Sequence, residues 1–459
     1  MSRLFGTDGV RGVANIVPVS PEVMLSLGRA AVEVLASAGS EDKKPLFILG
    51  RDTRLSGPML EAALGAGLCS AGADVLNVGV LPTPGVAYLA REFGAVAGVM
   101  ISASHNPYMD NGLKFFSAAG IKLEDHIEDA IEAGLHAAAS ALRPTGQGVG
   151  SLLQDAAPVR GYVAFLTSTF YHESPVALRI GLDCAHGAAS TVAPALFEQL
   201  GAQVYVWNAS PDGLNINHQC GSLHPEFLQQ KVLDEKLDLG FTFDGDADRL
   251  MAIDHTGHVL DGDHILAVAA QELRQRGALT HDTIVSTVMA NLGLDKALCQ
   301  MGIALHKTQV GDKYVLQAMR QHGAVLGGEQ SGHIIFSQHH TTGDGLLTAI
   351  QLLNAVVGQR VPLAELAQVL HKFPQRLINV ILRERYDPLG IPRVQDAVQD
   401  AETMLGNDGR VLVRLSGTEL VARVMLEGPT HAMIEPLAQR IARAIADELG
   451  PLENTSGKP

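Results

Sequence analysis

The sequence predicts three consecutive α/β domains with mixed, mostly parallel sheets, followed by a C-terminal α+β domain. Three observations carry this expectation. Short apolar runs alternate with stretches of helical periodicity along most of the chain. A length of 459 residues accommodates three or four domains at about 100–150 residues each. Hydrophobic residues make up 46% and charged residues 18%, the balance of a chain that buries a core.

Taken in order, Ser20-Pro21-Glu22 is a helix start, with an N-cap hydroxyl and Pro in the first turn, and Val23, Leu27, Ala30, Val34 and Leu35 follow at helical spacing. A helix over 21–38 is expected. The apolar run 46–49, closed by Gly50 and a charged loop, predicts a strand, then a helix and a second strand over 75–80. The same alternation recurs at 178–183, at 239–243, from 283 through 310 and at 324–327. Gly, Pro and Thr at 141–150 and the Phe373-Pro374 step place domain boundaries near 154, 254 and 370. The expected domains are therefore 1–154, 155–253, 254–369 and 370–450. The segment VLVRLSGTELVARVMLEG reads as two strands around a polar turn, with a helix over 430–449 after it and a disordered tail over 451–459.

A formal charge of −15 repels nucleic acid and anionic lipid, so a phosphorylated ligand needs a local cluster of cations or a metal. Cys69, Cys184, Cys220 and Cys299 lack paired spacing and read as reduced and structural. The opening MSRLFGTDG has no apolar core behind a basic start, and no run approaches the ~20 apolar residues of a membrane span. A cytoplasmic protein without membrane or nucleic acid partners is expected.

Four segments carry chemistry. In FDGDADR, Asp244, Asp246 and Asp248 alternate directly after an apolar strand, so three hard oxygen ligands converge on one divalent cation; an acidic turn or an Asp nucleophile are the other readings. In ISASHNPYMDNGLKFF, Ser102, Ser104, His105, Asn106 and Lys114 follow the run 95–101, and a phosphate on Ser104 would be partly neutralised by a cation in the Asp loop. The bland reading there is a capping hydroxyl beside a solvated imidazole. GGEQSGH, residues 327–333, groups a carboxylate, an amide, a hydroxyl and an imidazole suited to sugar hydroxyls and an amine. Arg414, Ser416, Gly417, Thr418 and Arg423 flank a hairpin turn that fits a phosphate held but not transferred, or serves only as a turn.

Together, in their order and intervals from Phe5 to about Glu448, these segments resemble the α-D-phosphohexomutase family. The resemblance implies a TATA-binding-protein-like C-terminal domain and four domains around a central cleft. It implies Ser104 as phosphoserine and, with Asp244, Asp246 and Asp248, as a ligand of one Mg2+ per subunit. Glu329 and Ser331 become sugar contacts, and Arg414, Ser416, Gly417, Thr418 and Arg423 phosphate ligands. Arg11, Lys114 and His333 match positions near the reacting hydroxyls, with acid/base help from Lys114 and His333, and Arg249 closes the metal loop. RLFGTDGVRG, PDGLNINHQCGS, TVMANLGL and the Gln of GEQSGH look like the bacterial branch that interconverts glucosamine 6-phosphate and glucosamine 1-phosphate, toward UDP-N-acetylglucosamine. A bisphosphorylated sugar intermediate, a homodimer and a mobile C-terminal domain come with it.

The sequence departs from the family at Leu420, Lys313 and His186, where Pro, Arg and Asn are common, which touches phosphate affinity or loop order rather than the chemistry. Phosphomannomutase or phosphoglucomutase specificity, a metal-dependent sugar phosphatase with an Asp nucleophile and a silent phosphosugar-binding protein remain the rival readings.

Overall fold

The computed structural model describes residues 3–6, 9–36, 43–137, 143–416 and 420–451. The chain forms two compact units, Met1–Met289 with Met301–Val369, and Ala290–Gln300 with Leu370–Pro459. No single described helix is long and apolar enough to cross a membrane.

The first unit contains three sheets. One has β1 (Val10–Val13), β2 (Leu46–Arg51), β3 (Asp74–Val80), β4 (Ala97–Ile101), β5 (Asp110–Ser117) and β6 (Leu152–Gln154) in the order β1-β5-β4-β2-β3-β6. The next has β7 (Arg179–Asp183), β8 (Gln203–Trp207), β9 (Leu239–Phe243), β10 (Leu250–Asp254) and β11 (Val259–Leu260) in the order β11-β10-β9-β7-β8. The last has β12 (Thr283–Thr287), β13 (Ala304–Thr308), β14 (Leu326–Gly328) and β15 (Ile334–Phe336) in the order β13-β12-β14-β15.

Each sheet has a parallel core and an antiparallel addition, as expected for a mixed sheet. The additions share one cause. β5, β10 and β15 return directly from the loops after β4, β9 and β14, pairing antiparallel with them, because a short loop can only join antiparallel neighbours. Those three loops are the Ser, Asp and GGEQSGH segments, so the same geometric step presents all of them at the carboxyl ends of core strands.

The first helix starts at Pro21 as expected, with Ser20 capping Val23 N, and runs to Leu35; of the predicted 21–38, residues 37 and 38 lie outside the described ones. It packs its Met24, Leu27 and Ala31 face into a core with Phe5, Phe47, Leu64 and Phe115. The four cysteines are free.

In the second unit, β16 (Gln375–Ile381), β17 (Arg410–Leu415) and β18 (Val421–Glu427) form an antiparallel sheet in the order β16-β18-β17. The helices Pro392–Leu405 and His431–Leu449 cover it, burying Val394, Leu405, Val424, Ile434 and Ile445. The helix Leu292–Gln300 belongs here, since Glu427 accepts from Asn291 Nδ2 at 3.1 Å and from Leu292 N at 3.0 Å. Residues 452–459 of the predicted tail lie outside the described residues.

Candidate active site

Ser104 occupies a left-handed backbone position, φ 52°, unusual for a residue with a Cβ. Polar contacts on both sides hold it there. Its carbonyl accepts from Arg54 Nη2 at 2.9 Å and from Asn217 Nδ2 at 2.8 Å. Its N–H donates to Ser102 Oγ at 2.8 Å, and Ser102 in turn donates to Asp52 Oδ2 at 2.6 Å. The result aims the buried Ser104 hydroxyl at Asp244, Oγ to Oδ2 at 2.6 Å. His105 Nδ1 lies 3.3 Å from the same Oγ. Burial, then the guanidinium groups of Arg249 and Arg11, push the His105 imidazole down to about 4, so it is neutral at pH 7.

Asp244, Asp246 and Asp248 are buried and offer ligand atoms within 4.8 Å of one another. Lys114, on β5, closes the group from the opposite strand, with Nζ 2.8 Å from Asp246 Oδ2 and 3.2 Å from Asp248 Oδ2. Thr83 caps the loop from another helix start, donating Oγ1 to Asp246 Oδ2 at 2.6 Å and N to Asp246 O at 2.9 Å. Burial, then repulsion from Asp248 and Asp246, raises the Asp244 carboxyl well above the usual carboxylate range. Burial opposes the charge on Asp248 too, yet Lys114, His333 and Arg249 together hold it well below that range. Three buried carboxylates therefore face one ammonium, an excess of negative charge that favours a cation.

The chemistry of the donors fits a hard divalent ion. Asp246 Oδ1 and Asp248 Oδ1 are buried without a hydrogen-bond partner, a costly state that a metal would relieve.

The GGEQSGH loop lies against this group. His333 Nδ1 is 3.7 Å from Asp248 Oδ2 and Nε2 is 3.8 Å from Asp312 Oδ2. Burial lowers its affinity for a proton, but Asp248, Asp312 and Glu329 outweigh burial and raise it. Glu329 and Ser331 are half-buried, and Gly311 N donates to Glu329 Oε1 at 3.0 Å. Gly332, at φ 89°, lets the loop touch β10: a Cβ there would sit 2.1 Å from Leu250 O. Gly332→Ala is therefore expected to destabilise the first unit by roughly 2–5 kcal/mol, from left-handed strain plus overpacking, read as a lower melting temperature. A melt unchanged within error rejects the packing argument.

In the second unit, Arg414 and Arg423 stand directly opposite each other across β17 and β18. Like charges paired this way destabilise a ladder unless an anion joins them. Burial, then Arg423, lowers the Arg414 pKa below its usual value. Ser416 is buried, and Arg385 Nη2 donates to its carbonyl at 3.1 Å. Gly417 and Thr418 lie outside the described residues.

The sequence reading assigned no role to Asp52, Arg54, Thr83, Asn217, Asp312 or Arg385. The one signal in reach was the charged RDTR segment directly after the strand at 46–51. Of the departures, Lys313 Nζ reaches both Asp125 oxygens at 2.9 and 3.1 Å, so the missing guanidinium fork is replaced by two point-charge contacts. His186 sits at φ 49°, where Asn adapts more easily, and its Nδ1 accepts from Ser210 N at 3.3 Å. Leu420 is half exposed.

Family models for phosphoglucomutase/phosphomannomutase match along nearly the whole chain: α/β/α domain I at residues 2–141, domain II at 160–257, domain III at 261–373 and the C-terminal domain at 377–444. The chain is 49% identical over 450 residues to a phosphoglucosamine mutase of Brevibacillus brevis, covering 98% of this chain and 100% of that one. It is 50% identical over 451 residues to the phosphoglucosamine mutase of Symbiobacterium thermophilum, at the same coverage. Among solved structures it is similar to a phosphoglucomutase/phosphomannomutase family protein of Burkholderia thailandensis, with TM-score 0.79, 27% identity and 97% of each chain covered.

Proposed function

The chain belongs to the phosphoglucomutase/phosphomannomutase family of α-D-phosphohexomutases, and on that premise we propose that it interconverts glucosamine 6-phosphate and glucosamine 1-phosphate through a phosphoserine at Ser104. Its identity of about half with curated phosphoglucosamine mutases over nearly the full chain supports this substrate pair. The observation that carries the role of Ser104 is its hydroxyl, 2.6 Å from Asp244 and held in a strained position at the mouth of three buried carboxylates.

The proposed chemistry uses phosphoserine as donor. As the sugar O1 attacks, the phosphorus–Oγ bond breaks and the phosphorus–O1 bond forms. The O1 proton passes to a base, for which His333 is the candidate, and the charge gathering on Oγ is met by the Lys114 ammonium. The resulting 1,6-bisphosphate turns round, and Ser104 Oγ takes back the phosphoryl group from O6, releasing glucosamine 1-phosphate. Arg414, Ser416, Gly417, Thr418 and Arg423 hold the phosphate that is not being transferred. Glu329 and Ser331 bind sugar hydroxyls or the amine, and Arg11 and Arg249 line the reacting end. Asp244, Asp246 and Asp248, with the Ser104 phosphate, would hold one Mg2+, which when bound supplies positive charge to the transferred phosphoryl oxygens.

Two measurements test this. Product formation from glucosamine 6-phosphate, followed with free phosphate monitored, is expected to proceed without phosphate release; stoichiometric release identifies a phosphatase instead. Removing divalent ions is expected to abolish turnover, and adding Mg2+ to the metal-free protein to raise its melting temperature, by about 2.7 kcal/mol of stabilisation at a hundredfold excess over Kd. Asp246→Asn should lose most of that thermal response. An equal response in the variant places the ion elsewhere.

A second copy of this chain is the proposed protein partner. Ile16 and Val17 are 60% and 74% exposed, and their loop is tied to the exposed Met109 through Ala14 N to Met109 O at 2.9 Å, an apolar surface that favours cover. Ile16→Lys is expected to shift light-scattering mass from dimer to monomer; an unchanged mass moves the interface elsewhere. A cytoplasmic setting suits a sugar phosphate substrate and four free thiols.

A further inference from the structure

A groove of about 650 Å³ opens on the first unit, far from the Asp loop. Leu239 lines it, whereas Asp244 follows Phe243 at the other end of β9, a separation of roughly 15 Å along the strand. The walls are aliphatic: Leu178, Leu237, Val356 and Leu363 among them. The rim carries Lys236, His255 and Arg360. Among the described residues, none of these three side chains is engaged in an ion pair or hydrogen bond. The rim's single carboxylate, Asp238, is already committed to Arg179 N at 2.7 Å.

Lys236 and Arg360 share a further property. Each follows a helix, Glu226–Asp234 and Gly345–Gln359, in the left-handed backbone region, at φ 53° and 58°. Gly or Asn fits that position with least strain. A cation gains something from the helix dipole there, but less than the strain costs. In a chain of net charge −15, two strained positions bearing cations over an apolar floor point to an anion with an apolar body.

We propose that this groove binds an organic phosphate with a flat uncharged ring, of the nucleoside diphosphate class. The volume lies within the roughly 300–1,000 Å³ of small-molecule sites. The ring lies between the aliphatic walls, and the diphosphate meets Lys236 and Arg360, with His255 at the edge.

The test is calorimetric titration of the full chain with uridine diphosphate, in the presence of saturating glucosamine 6-phosphate to occupy the reacting site. Binding with Kd below about 1 mM is expected, with uridine and inorganic phosphate each weaker. Lys236→Glu/Arg360→Glu is expected to raise Kd roughly tenfold or more. Ala177→Trp, which fills the groove while leaving the cations in place, is expected to do the same and decides the matter if the charge variant melts early. Absence of binding, or a Kd unchanged in a well-folded variant, overturns the proposal. Because binding is read without turnover, its failure is separate from failure of the mutase assignment.

Discussion

Ser104→Ala is expected to lose mutase activity by on the order of 10⁴-fold or more, without a matching loss of stability. The argument begins with the bond that has to break. In the proposed cycle every turnover passes through a phosphorus–Oγ bond, and alanine has no atom to form it, so the remaining site can bind and polarise a phosphosugar but not exchange its phosphate. The fold around it survives. The backbone bonds that hold the loop, from Arg54, Asn217 and to Ser102, use Ser104 N and O rather than its hydroxyl. The one side-chain bond lost is the donation to Asp244, whose carboxyl is already pushed toward the neutral form by burial and by its neighbours. The checks are the rate of glucosamine 1-phosphate formation, a melt within a few degrees of wild type, and an intact-mass measurement showing no phosphorylated form. Activity within tenfold of wild type removes Ser104 from the mechanism and returns attention to Asp244 as nucleophile.

What was legible in the sequence is what lies close together along it. Asp244, Asp246 and Asp248 alternate within one loop because a single cation is reached from one turn, so their spacing alone suggested the chemistry. The strands before the Ser, Asp and GGEQSGH loops were legible as apolar runs, and the loops sit where those strands end. The antiparallel returns β5, β10 and β15 were less so, because they follow from loop length and pairing rather than from a distinct pattern. The framework behind Ser104 was not legible. Asp52 and Arg54 lie in a charged stretch that looks like any solvated loop, and only the tertiary structure buries both completely. Lys114 reaches Asp246 across 132 residues and Asn217 reaches Ser104 across 113. Such distances leave no local trace. The family resemblance supplied the Lys114, His333 and Arg249 positions that spacing could not, and it carried no information about Arg54.

Arg54 is accordingly where the second large effect is expected, this time on stability and activity together. Its guanidinium is fully buried and pairs with Asp52, Nε to Oδ2 at 2.8 Å. Its remaining nitrogens donate to the carbonyls of Ser104, Asn106, Asp110 and Pro107. One side chain thus satisfies four backbone acceptors of the loop that holds Ser104 at positive φ. Arg54→Ala leaves the Asp52 carboxylate buried without its cation, and breaking one partner of such a pair costs about 3–5 kcal/mol. The freed carbonyls and a larger cavity add to this. The loop then relaxes out of its left-handed conformation, and the Ser104 hydroxyl leaves Asp244. Thermal unfolding should show an early loss of the first unit, and kcat/KM should fall by roughly 10²–10³-fold in whatever folded fraction remains, since misplacement by about 1 Å already costs about 10²-fold. Arg54→Lys separates charge from geometry: it keeps the partner for Asp52 but lacks the planar fork that reaches four carbonyls. It is expected to recover much of the stability and little of the activity. If lysine restores both, the Ser104 loop needs only a buried charge beneath it, and the fork is incidental.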